Sequence, residues 1–320
     1  MQVPVPPERS HVTDFMNYLI LGLTRGSMYA LIALGYTLVY GVLQLINFAH
    51  SEIFMSGAFG SYFVVHALVG TGDHTAGWAV PLVLIAGVLA GAATGGLVAW
   101  VLERVAYRPL RKRNAPKLAF LISAIGASFL LSQLAGKMFS RLTNSFPDFF
   151  DKNRVLFYVV GARVTLIEVL VVASAIVMML FLDRLVGVTK LGRSIRAVAE
   201  DAPTAALMGI DIDRTISRTF VIGGLLGGAA GFLFGLSFNF VNTMGFLPGV
   251  KAFAAAVLGG IGNIRGAMFG GMLLGIVENL IPTLPFIGIQ WTDVVAFVVL
   301  VLVLMFRPTG LFGERLGRAA

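Results

Sequence analysis

Apolar runs of about 20 residues, enough for a helix to cross a hydrocarbon core, recur along this chain with short polar breaks between them. Candidate spans fall at residues 27–46, 53–70, 79–102, 118–138, 164–183, 217–238, 250–263, 266–285 and 290–306. Two segments fit poorly. Phe15–Thr24 is too brief to cross alone and is expected to extend the first span, lie on the surface or re-enter. The 250–263 segment is short, carries Lys251 and closes on Gly259, Gly260 and Gly262. Broken helices of that kind are tolerated only inside protein or along a cavity. The pattern predicts an all-α, polytopic transmembrane helical bundle of about eight or nine spans, with room for broken or re-entrant segments. The longest polar interruption, Lys190 to Arg218, has its own helix signals: Ala-rich turns near Arg193, Pro203 at a first-turn position and Gly209 at a stop. It predicts one or two short helices held at a membrane surface.

Composition agrees with the pattern. Of 320 residues 57% are hydrophobic and 12% charged, against roughly 25% charged in soluble domains. The net charge of +8 is not a nucleic-acid signature, because the basic residues lie in short loops between spans, where they set orientation. Arg104, Arg108, Arg111, Lys112, Arg113 and Lys117 crowd one loop. Arg184, Lys190, Arg193, Arg196, Arg214 and Arg218 mark the central stretch, and Arg307, Arg315 and Arg318 the C-terminus. Alternating the spans places all three on one side, which is therefore cytoplasmic, with the 139–163 loop and the N-terminus outside. The polar segment 1–14 lacks the pattern of a cleavable signal. The absence of cysteine excludes disulfides and thiolate chemistry.

Glycine recurs every fourth residue at Gly223, Gly227, Gly231 and Gly235, at Gly87, Gly91 and Gly95, and at Gly271 and Gly275. Small residues at this spacing let helix backbones approach in lipid. A short echo links Ile46-Asn47-Phe48-Ala49-His50 with Phe238-Asn239-Phe240-Val241-Asn242, each closing a Gly-bearing span. Candidate chemistry is sparse. The one Gly-Lys pair, Gly136-Lys137, lacks the rest of a phosphate-binding loop, so the chain is not expected to hydrolyse ATP. His50 and Glu52 share a membrane edge, but no third ligand accompanies them, so no metal and no cofactor are expected. Glu168, Lys251, Glu278 and Asp293 are candidate ionisable residues within spans. The carboxylates fall near span ends, which argues against a proton relay.

The run Gly41-Val-Leu-Gln-Leu-Ile-Asn-Phe-Ala-His-Ser-Glu52 resembles the signature of the permease subunits of branched-chain amino acid ABC importers, the LivH type. Glu103-Arg104-Val105-Ala106-Tyr107-Arg108-Pro109, Leu121–Gly126, Arg196–Asp201, Gly209-Ile210, Lys251–Gly262 and Gly266-Ala267-Met268 extend the resemblance over almost the whole chain. Ser51 stands where that family more often has Gly. The general importer coupling motif is reduced to Ala205-Ala206-Leu207-Met208-Gly209, with two residues before the Gly instead of three.

The resemblance implies a transmembrane permease domain at 15–306, a cytoplasmic coupling loop at about 185–216 and a cytoplasmic tail at 307–320, in a bacterial inner membrane. It implies four kinds of partner: the lipid bilayer, a second homologous permease, two cytoplasmic ATPases and a periplasmic substrate-binding protein. Arg193, Arg196, Glu200, Asp201, Ala205, Ala206 and Gly209 are the expected coupling residues, with Ile195, Val198, Leu207 and Met208 as an amphipathic surface for an ATPase groove. Asn47, Asn239, Asn242, Thr243, Gly259, Gly260 and Gly262 are the expected lining of the path. Other readings are a permease for urea, short amides or other amino acids on the same scaffold, and a stand-alone secondary transporter or channel. The latter has no need of a coupling loop.

Overall fold

The computed structural model describes residues 11–45, 47–70, 77–139, 141–283, 288–307 and 309–313. Most of the polar N-terminal segment, Ile46 of the signature run, and Arg315 and Arg318 of the tail lie outside the described residues. The helices are α1 (His11–Leu43), α2 (His50–Val69), α3 (Val80–Leu102), α4 (Arg108–Lys112), α5 (Lys117–Phe139), α6 (Leu166–Val188), α7 (Lys190–Glu200), α8 (Ala202–Leu207), α9 (Ile212–Ser237), α10 (Phe246–Gly259), α11 (Ile264–Leu280) and α12 (Thr292–Phe306). Among the described residues, seven stretches are long and apolar enough to cross a membrane. The 14 residues of α10 and 15 of α12 give helices of only about 21–22 Å at ~1.5 Å per residue, short of a core of about 30 Å. So 250–263 and 290–306, expected as spans, are apolar helices of about 70% of the core thickness, packed on the bundle.

Phe15–Thr24 is not a separate segment. It is continuous with the first span in a single 33-residue helix. The polar residues there do not interrupt it, because Thr24 and Ser27 donate to the carbonyls of Ile20 (3.0 Å) and Leu23 (2.8 Å) one turn back. The third span is also longer than expected. It continues through a π-helical turn at Glu103–Tyr107 into α4. That turn brings Glu103 and Tyr107 to the interior, both essentially inaccessible.

The described chain has one exception to all-α architecture. Within the 139–163 loop and its edge, β1 (Val155–Val159) pairs antiparallel with β2 (Ala162–Thr165). Val160 and Gly161 form the two-residue turn, with φ of 49° and 81°, the double left-handed geometry that suits strand twist. Ala162 and Val164 are buried and β2 packs on α1.

The central helices are α1 and α9, while α5, α6 and α12 leave broad apolar faces exposed, including Phe129, Leu130, Val177, Phe181 and Val301. Such contiguous apolar surface is what lipid covers. The glycine stripes are helix contacts. A Cβ at Gly228 of α9 would overlap the carbonyl oxygen of Gly91 on α3, and one at Gly275 of α11 would overlap the backbone of Gly26 on α1. The packing has a two-fold logic. Helix α1 packs on α11 and α10, α9 packs on α3 and α2, and α2–α3 mirrors α10–α11. Exchanging α1, α2, α3 for α9, α10, α11 reproduces these pairings, as expected of an inverted three-helix repeat. The short sequence echo falls just after α1 and α9, the equivalent first helices.

The basic stretches share one end. Arg108 reaches Asp213 at the start of α9 (3.3 Å), Arg111 bridges Asp213 and buried Glu103 (3.0 Å to the latter), and Arg265 pairs with Asp183 near the end of α6 (3.0 Å). At the opposite end, Asn144 pairs with Phe240, joining the hairpin loop to the segment after α9.

Candidate functional site

Helix α2 begins deep in the protein. After α1 the backbone turns at Gln44 (φ 51°), and His50 then packs against Gly35 of α1 and Gly227 of α9. Gly227 lies roughly 22 Å along α9 at ~1.5 Å per residue, so the start of α2 is near mid-depth. Asn47 organises the break: its Oδ1 accepts the Ala49 N–H (3.1 Å) and the Tyr107 hydroxyl (2.7 Å), and its own carbonyl accepts the His50 N–H (3.0 Å). Ser51 donates to the Phe48 carbonyl (2.8 Å), Ser128 of α5 donates to Glu52 (3.1 Å), and Tyr36 meets the His50 ring edge-on at 4.9 Å. Asn47 Nδ2, both His50 nitrogens and Glu52 Oε2 are nonetheless buried without a hydrogen-bond partner. Unsatisfied buried polar atoms are uncommon, and four at one helix break mark polar ground inside an apolar bundle.

A second polar cluster lies beside the matching break between α9 and α10. Lys251 of α10 bonds Glu278 of α11 (2.8 Å) and Asp293 of α12 (2.7 Å), and the Tyr29 hydroxyl of α1 donates to Glu278 (3.3 Å). A cavity of about 190 Å³ adjoins it, lined by Arg25, Met28, Tyr29, Phe234, Phe238, Leu247, Pro248 and Lys251. The sequence singles out Lys251, Glu278 and Asp293 as separate ionisable residues within spans, with the two carboxylates near span ends. The fold gathers them into one network. Arg25 and Tyr29 were missed, although their spacing of four residues in an apolar helix puts them on one face. Glu168 stands apart, reaching back to the Thr165 N–H (2.7 Å) in a capping box at the start of α6.

The coupling stretch forms α7 and α8. Thr189 caps α7 and Asp201 caps α8, accepting the Thr204 N–H (3.3 Å) as well as the Thr204 hydroxyl. Gly209 (φ 82°) closes α8, with Gly209 N–H to Ala206 and Ile210 N–H to Ala205, the two bonds of a Schellman stop. Arg193 and Glu200 are exposed, whereas Arg196 turns back to the Val186 and Gly187 carbonyls at the end of α6. The expected amphipathic surface divides in two. Ile195 and Val198 are buried in this chain's own bundle, as is the expected coupling residue Ala205, while Leu207 and Met208 are 87% and 80% exposed and remain available.

The expected path residues do not meet at one place. Asn239 and Thr243 are exposed after α9. Asn242 is buried: its carbonyl accepts the Ser132 hydroxyl (2.9 Å) and its side-chain amide donates to the Ser132 carbonyl (3.2 Å). Asn47 lies in the mid-depth break. Gly259 packs on Gly266, and Gly260 (φ 104°) and Gly262 (φ 95°) form the turn into α11 at the basic end. The 309–313 segment straps this turn, with Leu311 and Phe312 donating to the carbonyls of Leu258 (2.8 Å) and Gly259 (3.0 Å). Among the described residues, no three His, Asp or Glu side chains gather as a metal site.

Residues 18–304 match the family model described as the permease component of the branched-chain amino acid transport system. The chain belongs to this permease family. The permease is 40% identical over 307 residues to the high-affinity branched-chain amino acid transport system permease protein LivH of Escherichia coli K12, covering 94% of this chain and 96% of that one. It is also 40% identical over 311 residues to BraD of Pseudomonas aeruginosa, covering 96% and 98%. Identity is 27% over 297 residues to the probable LivH of Methanocaldococcus jannaschii, covering 90% and 89%. The matched region contains both helix breaks, the Lys251 network and the α7–α8 stretch, so the permease's polar features all fall within the family domain of a multi-pass membrane transport component.

Proposed function

We propose that this chain is a membrane-spanning subunit of an ATP-driven importer that moves leucine, isoleucine and valine across a bacterial inner membrane into the cytoplasm. It works with a second homologous permease, two cytoplasmic ATPases and a periplasmic binding protein. Beside the family membership, the observation that carries this reading is α8. It is a capped short helix that offers Leu207 and Met208 to water at the basic end, where a stand-alone transporter has no use for exposed apolar side chains. Such an apolar pair suits a groove on a partner.

Force on α8 has a direct route inward. Helix α7 packs on α1 and α9, its Ile195 and Val198 are buried, and Gln44, at the break after α1, lies 3.5 Å from the Ala199 carbonyl of α7. A push by the ATPases therefore reaches both central helices, whose glycine-lined contacts permit small shifts without side-chain interlocking. The proposed path runs from Asn239, Asn242 and Thr243 at the outer end, past Asn47 at mid-depth, to the Gly259, Gly260 and Gly262 turn at the inner end. In the proposed coupling surface, Arg193, Glu200, Ala206 and Gly209 face the ATPase. Arg196, Asp201 and Ala205 hold the short helices in shape.

The test is affinity purification of the tagged chain from its native membrane in mild detergent. The expected result is one other polytopic subunit and two ATPase copies in fixed ratio. Recovery of this chain alone, still moving solute without ATP, contradicts the proposal.

A further inference from the structure

We propose that the cavity beside Lys251 is a half-site for a zwitterionic α-amino acid, which opens the Lys251–Asp293 ion pair and inserts into it. The ligand's carboxylate takes the Lys251 ammonium and its ammonium takes the Asp293 carboxylate. The inference rests on the importer reading above and adds where in this chain the substrate is held.

The two arms of the Lys251 network are unequal. The Glu278 side chain is 6% exposed, and Lys251 and Tyr29 both bond its Oε1 (2.8 and 3.3 Å), so this arm is anchored. Asp293 is 52% exposed in the first turn of α12 and has Lys251 as its ion-pair partner (2.7 Å), so this arm opens at lower cost. Separating a bare ion pair in an apolar setting is expensive, because each charge needs a replacement partner. A zwitterion supplies both replacements at once. A monocarboxylate leaves Asp293 unmatched, and a monoamine leaves Lys251 short of one anion, so the geometry selects for zwitterions over either ion alone.

Charge balance points the same way. Arg25 and Lys251 bring two positive charges, Glu278 and Asp293 two negative ones, and a neutral zwitterion keeps the sum at zero. Arg25, whose guanidinium lies 5.3 Å over the Phe238 ring, adds positive potential on the side where a carboxylate would sit. Asp293 does not itself line the cavity and is reached through Lys251; Met28, Phe234, Phe238, Leu247 and Pro248 give the wall an apolar surface for a branched side chain. At about 190 Å³ the cavity falls below the roughly 300–1,000 Å³ of pockets for drug-sized ligands and suits a smaller molecule. It flanks the α9–α10 break, on the side where α12 starts, opposite the basic loops.

The test is photolabelling of the purified assembly, without binding protein, by a diazirine analogue of leucine, with adducts mapped by mass spectrometry. The expected adducts lie on the segment from Phe234 to Leu247. Excess L-leucine suppresses them, but 4-methylpentanoate and isoamylamine do not. Asp293→Asn removes a charged partner and Leu247→Trp fills the cavity from a 61% exposed position. Each is expected to cut labelling roughly tenfold while the variant still co-purifies with its partners. Adducts confined to other segments, or labelling unchanged by both substitutions, overturn the site. Where the same assembly, reconstituted with binding protein outside and ATP inside, still takes up leucine, the importer reading stands without the site; loss of both labelling and that uptake in the unsubstituted assembly overturns both.

Discussion

Arg111→Met is expected to destabilise the protein severely, and for a reason that a second substitution can isolate. Arg111 donates to Glu103 (3.0 Å) and to Asp213, and Glu103 is fully buried with a 0% exposed side chain. Asp213 keeps Arg108 (3.3 Å) when Arg111 is lost, but Glu103 has no other ion pair among the described residues. Removing one member of a buried pair costs about 3–5 kcal/mol, mostly as the penalty of the stranded charge. The melting temperature should fall by several degrees, since a loss of this size is a large fraction of a protein's net stability. Adding Glu103→Gln removes the stranded charge, so the double variant should recover more than half of the loss. Thermal unfolding in detergent, followed by tryptophan fluorescence, reads all four corners of the cycle. Equal losses in Arg111→Met with Glu or Gln at position 103 refute the reasoning.

Three further outcomes follow from the same geometry. Leu207→Asp, at an exposed site on α8, should leave melting unchanged but abolish co-purification of the ATPases, whereas Ile195→Asp, buried under α7, should destabilise the fold itself by several kcal/mol. Gly228→Leu places a side chain where the Gly91 carbonyl sits, an overpacking of about 1–3 kcal/mol or more, and should show as lower yield of folded protein. Tyr107→Phe deletes the hydroxyl bond to Asn47 (2.7 Å) and should cost about 0.5–1.5 kcal/mol by thermal unfolding, since Asn47 Oδ1 retains the Ala49 N–H.

Much of the architecture was legible because bilayer physics leaves few choices. Apolar run length located the membrane-crossing helices, and loop charge grouped the basic ends that Arg111, Asp213 and Arg265 tie together. Pro203 and Gly209 marked the first turn and the stop of α8. What escaped was set by tertiary packing. Hydropathy set Phe15–Thr24 apart from the first span, yet Arg25, which follows it, lies in the middle of α1 beside a cavity. Composition could not show that Ile195 and Val198 turn inward while Leu207 and Met208 turn out. Nor could periodicity show that Lys251, Glu278 and Asp293, on three different helices, meet as one network, or that α2 starts at mid-depth. The inverted repeat left only a five-residue echo in sequence, because helix pairing conserves small-residue contacts and not side-chain identity.

The central claim is that this permease moves branched-chain amino acids only as part of an ATP-driven assembly. The most direct measurement is uptake of radiolabelled leucine into proteoliposomes holding the co-purified assembly, with binding protein outside and ATP inside. The account predicts accumulation that requires ATP and stops with Leu207→Asp. Leucine equilibrating through this chain alone, with or without ATP, would contradict it.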